Sequence, residues 1–479
     1  MLFTSLTFLW FFALVWGVYW LLRDHRRAQN ALLLAASAYF YGYWDWRFLG
    51  LIFGSATIDY LIGLRLADGR LDTRSRKALV TLSLVCNLGA LGLFKYYDFF
   101  AGSAADLLSS LGFGVHDWTL SLVLPVGISF YTFQTLSYTL SVYRGEEEVE
   151  RSFLDFATYV AFFPQLVAGP IVRAAEFLPQ LKQRRIFRWQ DQAEGLEPAA
   201  WGLFKKLVIA DNLAPAVDGV FGATGEVGYL ARLIGVYAFT IQIYCDFSGY
   251  TDIARGTAQA MGFHFPLNFR RPYFSRDPQE FWRRWHISLS SWLRDYLYIS
   301  LGGNRRGPAR TQFNLGATMV LGGLWHGAAW NFVLWGAFQG LMLIVHRAVV
   351  GRRKQGSGRS GWLAAAIGWL AFMQLVCFGW LLFRAQSFEQ IVAFCSPTSA
   401  SSIAGLPLSE AVSTGLVIGG VGTLILIAWD LLHARAGDDH TTPLAGLSPA
   451  LRALITVALL VAASQLGRFL GNEFIYFQF

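Results

Sequence analysis

Long apolar runs separated by short basic clusters organise this chain. The first run spans Leu6 to Leu22 and is followed by Arg23, Arg26 and Arg27. Further runs cover Ala31 to Tyr43, a third stretch ending at Arg65, Arg70, Arg74, Arg76 and Lys77, then Leu79 to Phe100 and Leu120 to Val142. Beyond Arg310 come Thr311 to His346, Trp362 to Phe383, Ala411 to Leu432 and Leu451 to Phe469. Several reach the roughly 17–25 residues that a helix needs to cross a bilayer. The pattern predicts an all-α polytopic membrane protein of about ten to twelve spans. No basic region or small-residue cleavage site accompanies the first run, so it reads as a retained helix, not a signal peptide.

Lys and Arg concentrate in cytoplasmic loops. On that rule Arg23–Arg27, Arg65–Lys77, Lys182–Arg185, Arg270-Arg271 with Arg276, Arg305-Arg306 and Arg352-Arg353-Lys354 lie inside. Asp45 and Arg47 mark an outer turn, and both termini fall outside. Gly351 to Gly361 is a Gly/Ser/basic linker, and no internal repeat is visible. The chain reads as one integral membrane domain over 1–479. Its N-terminal spans cover 5–150, a core with broken segments covers 151–350, and C-terminal spans cover 361–479.

Two apolar segments are too broken for simple spans. Phe163-Pro164-Gln165-Leu166-Val167-Ala168-Gly169-Pro170 holds two prolines and a glycine. It is either a kinked span or a re-entrant loop, because non-helical backbone survives at membrane depth only where protein or a water cavity satisfies it. The other is Thr311–His346. With basic loops on both sides, it enters and returns, and about 14 residues of helix carry the chain some 21 Å inward. Near that apex stands Trp325-His326-Gly327, an imidazole in a run with no charged residue. Polar side chains at such depth are expensive and usually functional. Gly322, Gly323 and Gly327 permit a tight turn or close backbone approach. His326 is thus a catalytic base or a hydrogen-bonded packing residue between helices.

Asp277-Pro278-Gln279-Glu280 is a strong helix start, with Asp as N-cap, Pro at N1 and Glu at N3. The helix it predicts carries Phe281, Trp282, Trp285, Leu289, Trp292, Leu293 and Tyr296 on one broad face. Arg283, Arg284, His286, Ser290 and Arg294 fall largely on another, the pattern of a helix lying along the inner interface. Its basic side suits lipid phosphate or an anionic acyl donor. His286 is either a partner of His326 or an interfacial side chain reaching water. Asp246 and Asp252 flank Ser248 beside an apolar stretch, six residues apart, so one helix does not align them.

Composition narrows the chemistry. The 479 residues are 54% apolar and 15% charged, which excludes a soluble multidomain enzyme, and 18 Trp, 19 Tyr and 40 Phe suit interfacial belts. The formal charge of +8 fits basic loops without nucleic acid. Cys86, Cys245, Cys377 and Cys395 are too far apart to suggest a zinc or redox pair. There is no HExxH, CxxC or acidic cluster for a metal, no Gly-rich phosphate loop and no GxSxG elbow. A membrane-embedded imidazole base remains.

An ordered set of motifs resembles the bacterial branch of the membrane-bound O-acyltransferases, the branch that includes alginate O-acetylation proteins. It runs through Pro125–Gln134, Phe163–Pro170, Asp246-Phe247-Ser248-Gly249-Tyr250, Asn268–Tyr273, Phe281–His286, Leu324–Gly327 and Phe474–Phe479. Ser141 stands where relatives often carry Asp. The resemblance implies a ring of tilted spans with re-entrant segments around a central tunnel. It maps the family's histidine to His326 and a second polar site position to His286. Trp282, Arg283, Arg284, Trp285, Trp325, Asp246 and Ser248 are then expected to line the substrate path. It implies no bound cofactor, acetyl-CoA or another acyl thioester as donor, an outer SGNH-type acetyltransferase as partner, and an exported polysaccharide as acceptor. Competing readings are D-alanyl transfer to teichoic acid, an acyl or lipid transporter, and a secretion scaffold.

Overall fold

The computed structural model describes residues 1–114, 116, 118–166, 169–350, 362–407, 409–436, 444, 446–469 and 475. The Gly351–Gly361 linker with its Arg352–Lys354 cluster, Val167-Ala168, and Phe474 with Tyr476–Phe479 lie outside the described residues. Every regular element among the described residues is helical. The elements, in chain order, are α1 (Leu6–Leu21), α2 (Arg26–Asp45), α3 (Leu49–Leu66), α4 (Thr73–Leu91), α5 (Tyr97–Ser110), α6 (Ile128–Arg144), α7 (Phe153–Ala161), α8 (Phe163–Leu166) and α9 (Ala174–Lys182). They continue with α10 (Trp189–Leu203), α11 (Asp211–Phe221), α12 (Tyr229–Ala260), α13 (Pro278–Arg284), α14 (Ile287–Trp292), α15 (Pro308–His326) and α16 (Trp330–Val350). The last are α17 (Trp362–Arg384), α18 (Phe388–Cys395), α19 (Glu410–Ala436) and α20 (Pro449–Leu466).

Among the described residues, seven helical segments are long and apolar enough to cross a membrane, and α1 is a shorter apolar helix. One of the seven, Arg26–Leu66, is broken where Asp45 takes φ −157° and ψ 110°, which separates α2 from α3. The protein is a multi-pass, all-helical membrane protein. Its chain divides into two compact units, residues 1–193 with 257–266, and residues 194–256 with 267–479.

In the first unit the run expected to form a span from Leu120 begins its helix only at Ile128. Pro125 supplies no N–H, and Gly127 sits at φ 75°, so residues 118–127 stay non-helical. The freed carbonyl of Val126 accepts from Tyr41 Oη at 2.8 Å. The described part of the Phe163–Pro170 segment is also no continuous span. Phe162 leaves the helix at φ −54°, ψ 111°, and α8 lasts a single turn. Protein side chains satisfy the broken backbone: Phe163 N–H donates to Ser37 Oγ at 3.0 Å, and Tyr159 Oη donates to the Val172 carbonyl at 3.2 Å.

In the second unit α15 and α16 form a close-packed helical hairpin. A Cβ on Gly323 would collide with the Phe332 carbonyl and come within 3.1 Å of Gly336 Cα, and one on Gly340 would lie 3.1 Å from Gly316 Cα. Here the two backbones touch, as small residues allow between membrane helices, where dispersion contacts replace the hydrophobic drive.

Candidate active site

His326 is the last residue of α15, and Gly327, at φ −163°, turns the chain toward α16. A Cβ at Gly327 would enter the Phe332 ring, so the turn closes only around glycine. The imidazole is 4% exposed. It meets Trp335 of α16 edge-on with ring centroids 5.1 Å apart, and Phe383 of α17 at 5.5 Å. Each such aromatic contact is worth about 0.5–1.5 kcal/mol beyond area burial. Trp335 is in turn held by Phe383 at 5.3 Å, Trp380 at 6.2 Å and Trp282 at 5.8 Å.

The helix expected to run on from Asp277 through Tyr296 is instead broken in the middle. Its start is as read: Asp277 accepts from Glu280 N–H at 2.8 Å and Pro278 stands at N1. Then Trp285 becomes extended (φ −100°, ψ 127°) and His286 left-handed (φ 43°, ψ 56°) before α14 resumes. A left-handed non-glycine residue costs on the order of 1–3 kcal/mol and persists only when its surroundings impose it. The segment around Asn268 imposes it: Arg270 N–H donates to the Arg284 carbonyl at 2.8 Å, and Ile287 N–H donates to the Asn268 carbonyl at 2.9 Å. The break turns His286 inward, to 0% exposure, while Arg283 and Arg294 stay exposed.

Asn268 also sets the tautomer of His286. Its Oδ1 accepts from Ser288 N–H at 3.1 Å and lies 2.9 Å from Ser288 Oγ. A backbone N–H only donates, so the atom facing it is the amide oxygen. His286 Nδ1, 3.2 Å from the same oxygen, therefore carries the proton, and Nε2 carries the lone pair. Burial pushes the His286 pKa down to about 3, so the ring stays neutral. Phe247 of α12 packs edge-on against it at 4.7 Å. Trp325 meets both imidazoles, 5.9 Å from His286 and 5.1 Å from His326.

The family model for membrane-bound O-acyltransferases matches residues 146–383, which contain both imidazoles. A probable alginate O-acetylase of Azotobacter vinelandii is 38% identical over 100% of both chains. This chain belongs to the membrane-bound O-acyltransferase family. A peptidoglycan O-acetyltransferase of Helicobacter pylori is 35% identical over 74% of this chain and 71% of that one. A teichoic acid D-alanyltransferase of Streptococcus thermophilus is 28% identical over 49% and 60%. The chain is an O-acyltransferase.

The other predicted site residues of this membrane-bound O-acyltransferase divide into three groups. Trp282, Trp285 and Trp325 join the aromatic wall: Trp285 is 1% exposed and packs on Trp380 at 4.7 Å and Phe269 at 5.0 Å. Arg284 is half-buried and pairs with Glu280 at 2.7 Å. Asp246 and Ser248 flank Phe247 on α12 but serve two lysines. Lys206 Nζ lies 2.7 Å from Asp246 and 2.9 Å from Asp211; Lys205 Nζ lies 2.9 Å from Ser248 Oγ and 2.7 Å from Asp252. Asp246 Oδ2 also accepts from Ile475 N–H at 2.8 Å, the described residue of the C-terminal motif. Lys205, Lys206, Asn268 and Trp335 are not predicted from the sequence. The two lysines interrupt an apolar run, a signal of the same kind as that of His326.

Proposed function

We propose that His326 is the general base of an acyl transfer that moves an acetyl group from a cytoplasmic thioester toward the periplasm for O-acetylation of an exported polysaccharide. The observation that carries this reading is a buried imidazole at the turn of a close-packed helical hairpin, sharing Trp325 with a second, neutral imidazole. A hydroxyl is a poor nucleophile until a base takes its proton. His326 removes that proton as the C–O bond forms. It returns the proton to the sulfur as the C–S bond breaks, leaving a free thiol. His286, with its lone pair at Nε2, positions the reacting groups and keeps the site uncharged. Acetyl-CoA is the donor in this reading, and an SGNH-type acetyltransferase outside the membrane completes delivery to an alginate-like polymer, cellulose or peptidoglycan. The relatives named for alginate and peptidoglycan O-acetylation support acetyl over D-alanyl as the group moved. The basic loops support an orientation with both termini outside, which in this reading is the periplasmic side of an inner membrane. Arg283, Arg284, Trp282, Trp285, Trp325, Asp246 and Ser248 line or support the donor path.

The test is donor-dependent thiol release in proteoliposomes. Wild-type protein releases free thiol from acetyl-CoA when an acceptor is present, and folded His326→Ala protein loses that release by at least about 100-fold. Wild-type-like release by the variant removes His326 from the chemistry. Transport of intact donor without thiol release would make the protein a transporter.

A further inference from the structure

Acyl transfer drives the carbonyl electrons onto oxygen as the hydroxyl adds, and that oxygen needs a fixed donor waiting for it. His286 does not fill that role as a neutral ring. Its one proton sits on Nδ1 and is given to Asn268 Oδ1, so Nε2 accepts and does not donate. His326 takes the hydroxyl proton on one nitrogen in the reading above, and its other nitrogen diverges across the ring, away from the same reacting carbonyl. The site therefore requires another N–H.

Trp335 supplies one. It is 1% exposed, and its indole Nε1–H has no hydrogen-bond partner among the described residues. Buried donors in folded proteins are nearly always paired, so a donor left open beside a reactive group calls for a reason. The ring lies edge-on to His326 with centroids 5.1 Å apart and planes at 87°. It has little freedom to turn elsewhere: Phe383, Trp380 and Trp282 hold it on three sides at 5.3, 6.2 and 5.8 Å. Rigid donors are the ones that stabilise developing charge, because nothing reorganises at the moment of reaction. The neighbouring Trp282 Nε1–H is likewise without a partner among the described residues, so the same wall offers a second donor.

We propose that the indole N–H of Trp335 is the oxyanion donor of this site, receiving the carbonyl oxygen of the acyl thioester. The proposal rests on the assignment of acyl transfer to the His326 hairpin. As the acceptor oxygen bonds to the carbonyl carbon, its proton passes to His326 and the C=O electron pair moves to the oxygen held by Trp335. When the intermediate collapses, that pair re-forms the C=O bond, the C–S bond breaks, and the sulfur leaves with the proton from His326.

Trp335→Phe keeps an aromatic ring in the wall and removes the N–H, together with the volume by which an indole exceeds a phenyl ring. Per folded molecule, the variant is expected to keep its KM for acetyl-CoA while kcat falls about 100- to 1000-fold. Two donor analogues separate this role from packing. A trifluoromethyl-ketone analogue of acetyl-CoA, which adds a nucleophile to give an oxyanion, binds the variant about 100-fold more weakly. An S-ethyl thioether analogue with no carbonyl binds it as it binds wild type. Wild-type kcat in Trp335→Phe, or equal weakening of both analogues, overturns the proposal. Should Trp335→Phe fail to fold, 3-benzothienylalanine at the same position, with sulfur in place of N–H, gives the same readouts. The analogue affinities are read in His326→Ala as well. If that variant still transfers, the base assignment falls, and the ketone-to-thioether affinity ratio still judges Trp335.

Discussion

The two imidazoles beside Trp325 are buried alike but held by different means. His326 ends a regular 19-residue helix whose backbone is pressed against α16 at Gly316, Gly323, Gly336 and Gly340. His286 sits in a break between two short helices, in a left-handed conformation imposed through Asn268 and the Arg270–Arg284 backbone bond. One is positioned by packing and the other by hydrogen bonds. Packing fails as a whole when a methyl group is forced in, because membrane interiors are as close-packed as protein cores. A hydrogen-bonded break fails locally, altering a tautomer or an angle while the helices around it survive.

The largest expected effect lies on the packed side. Gly323→Ala sets a Cβ against the Phe332 carbonyl and Gly336 Cα, which are backbone and cannot swing away. The variant should lose about 3 kcal/mol, seen as a clear drop in thermal midpoint in detergent, with activity lost in proportion to unfolded protein. An unchanged midpoint would mean that the hairpin is looser than its contacts imply. On the hydrogen-bonded side, Asn268→Leu strips Ser288 N–H and His286 Nδ1–H of their acceptor. It should cost about 1–3 kcal/mol in stability, and kcat should fall roughly tenfold or more even after correction for folded fraction. Asn268→Asp, which keeps an acceptor oxygen, should recover part of that loss. Equal loss in both variants would show that the tautomer does not matter.

The third effect is a pH dependence belonging to His286 alone. Its folded pKa of about 3 lies below the ordinary value of 6.5. Protonation therefore favours the unfolded chain, so stability is full above pH 6.5 and is lost as pH falls from there toward 3. The loss amounts to about 2 kcal/mol by pH 5. His286→Asn removes this term, so the difference in thermal midpoint between wild type and variant should shrink between pH 7 and pH 5. A difference that stays constant over that interval would mean that the ring is solvated or already charged.

Much of this arrangement was legible in the chain. The runs Trp362 to Phe383, Ala411 to Leu432 and Leu451 to Phe469 correspond to α17, α19 and α20 with small shifts at their ends, because uninterrupted apolarity and terminal caps are local properties. The hairpin was readable from basic residues at both ends and glycines near the apex. The break at His286 was not. No proline or glycine marks it, and the amphipathic pattern runs straight through Trp285 and His286 to Tyr296. What ends the helix is a set of hydrogen bonds from residues 268–270, contacts that periodicity does not encode. The partners of Lys205 and Lys206 on α12 lie some 40 residues away in the chain, again out of reach of a local pattern. Trp335 is one of 18 tryptophans, and its edge-on contact with His326 and its buried N–H without a partner among the described residues emerge only from the fold.

The smallest effect tests whether the break is as local as the comparison holds. Asp277 caps α13, accepting from Glu280 N–H at 2.8 Å, while the Glu280 carboxylate accepts from Arg276 N–H at 2.8 Å and Arg284 Nη2 at 2.7 Å. This reciprocal cap organises the exposed start of the helix, two turns from His286 and on the far side of the bonds that set its conformation. Asp277→Ala should therefore cost about 1 kcal/mol of stability and leave kcat and KM within about twofold of wild type, since about 0.4 kcal/mol is the most that should reach the reacting groups. The Asn268 variants provide the contrast. If removing the cap lowers kcat as much as Asn268→Leu does, then α13 as a unit orients His286, and the division between a packed imidazole and a hydrogen-bonded one gives way to a single packed scaffold.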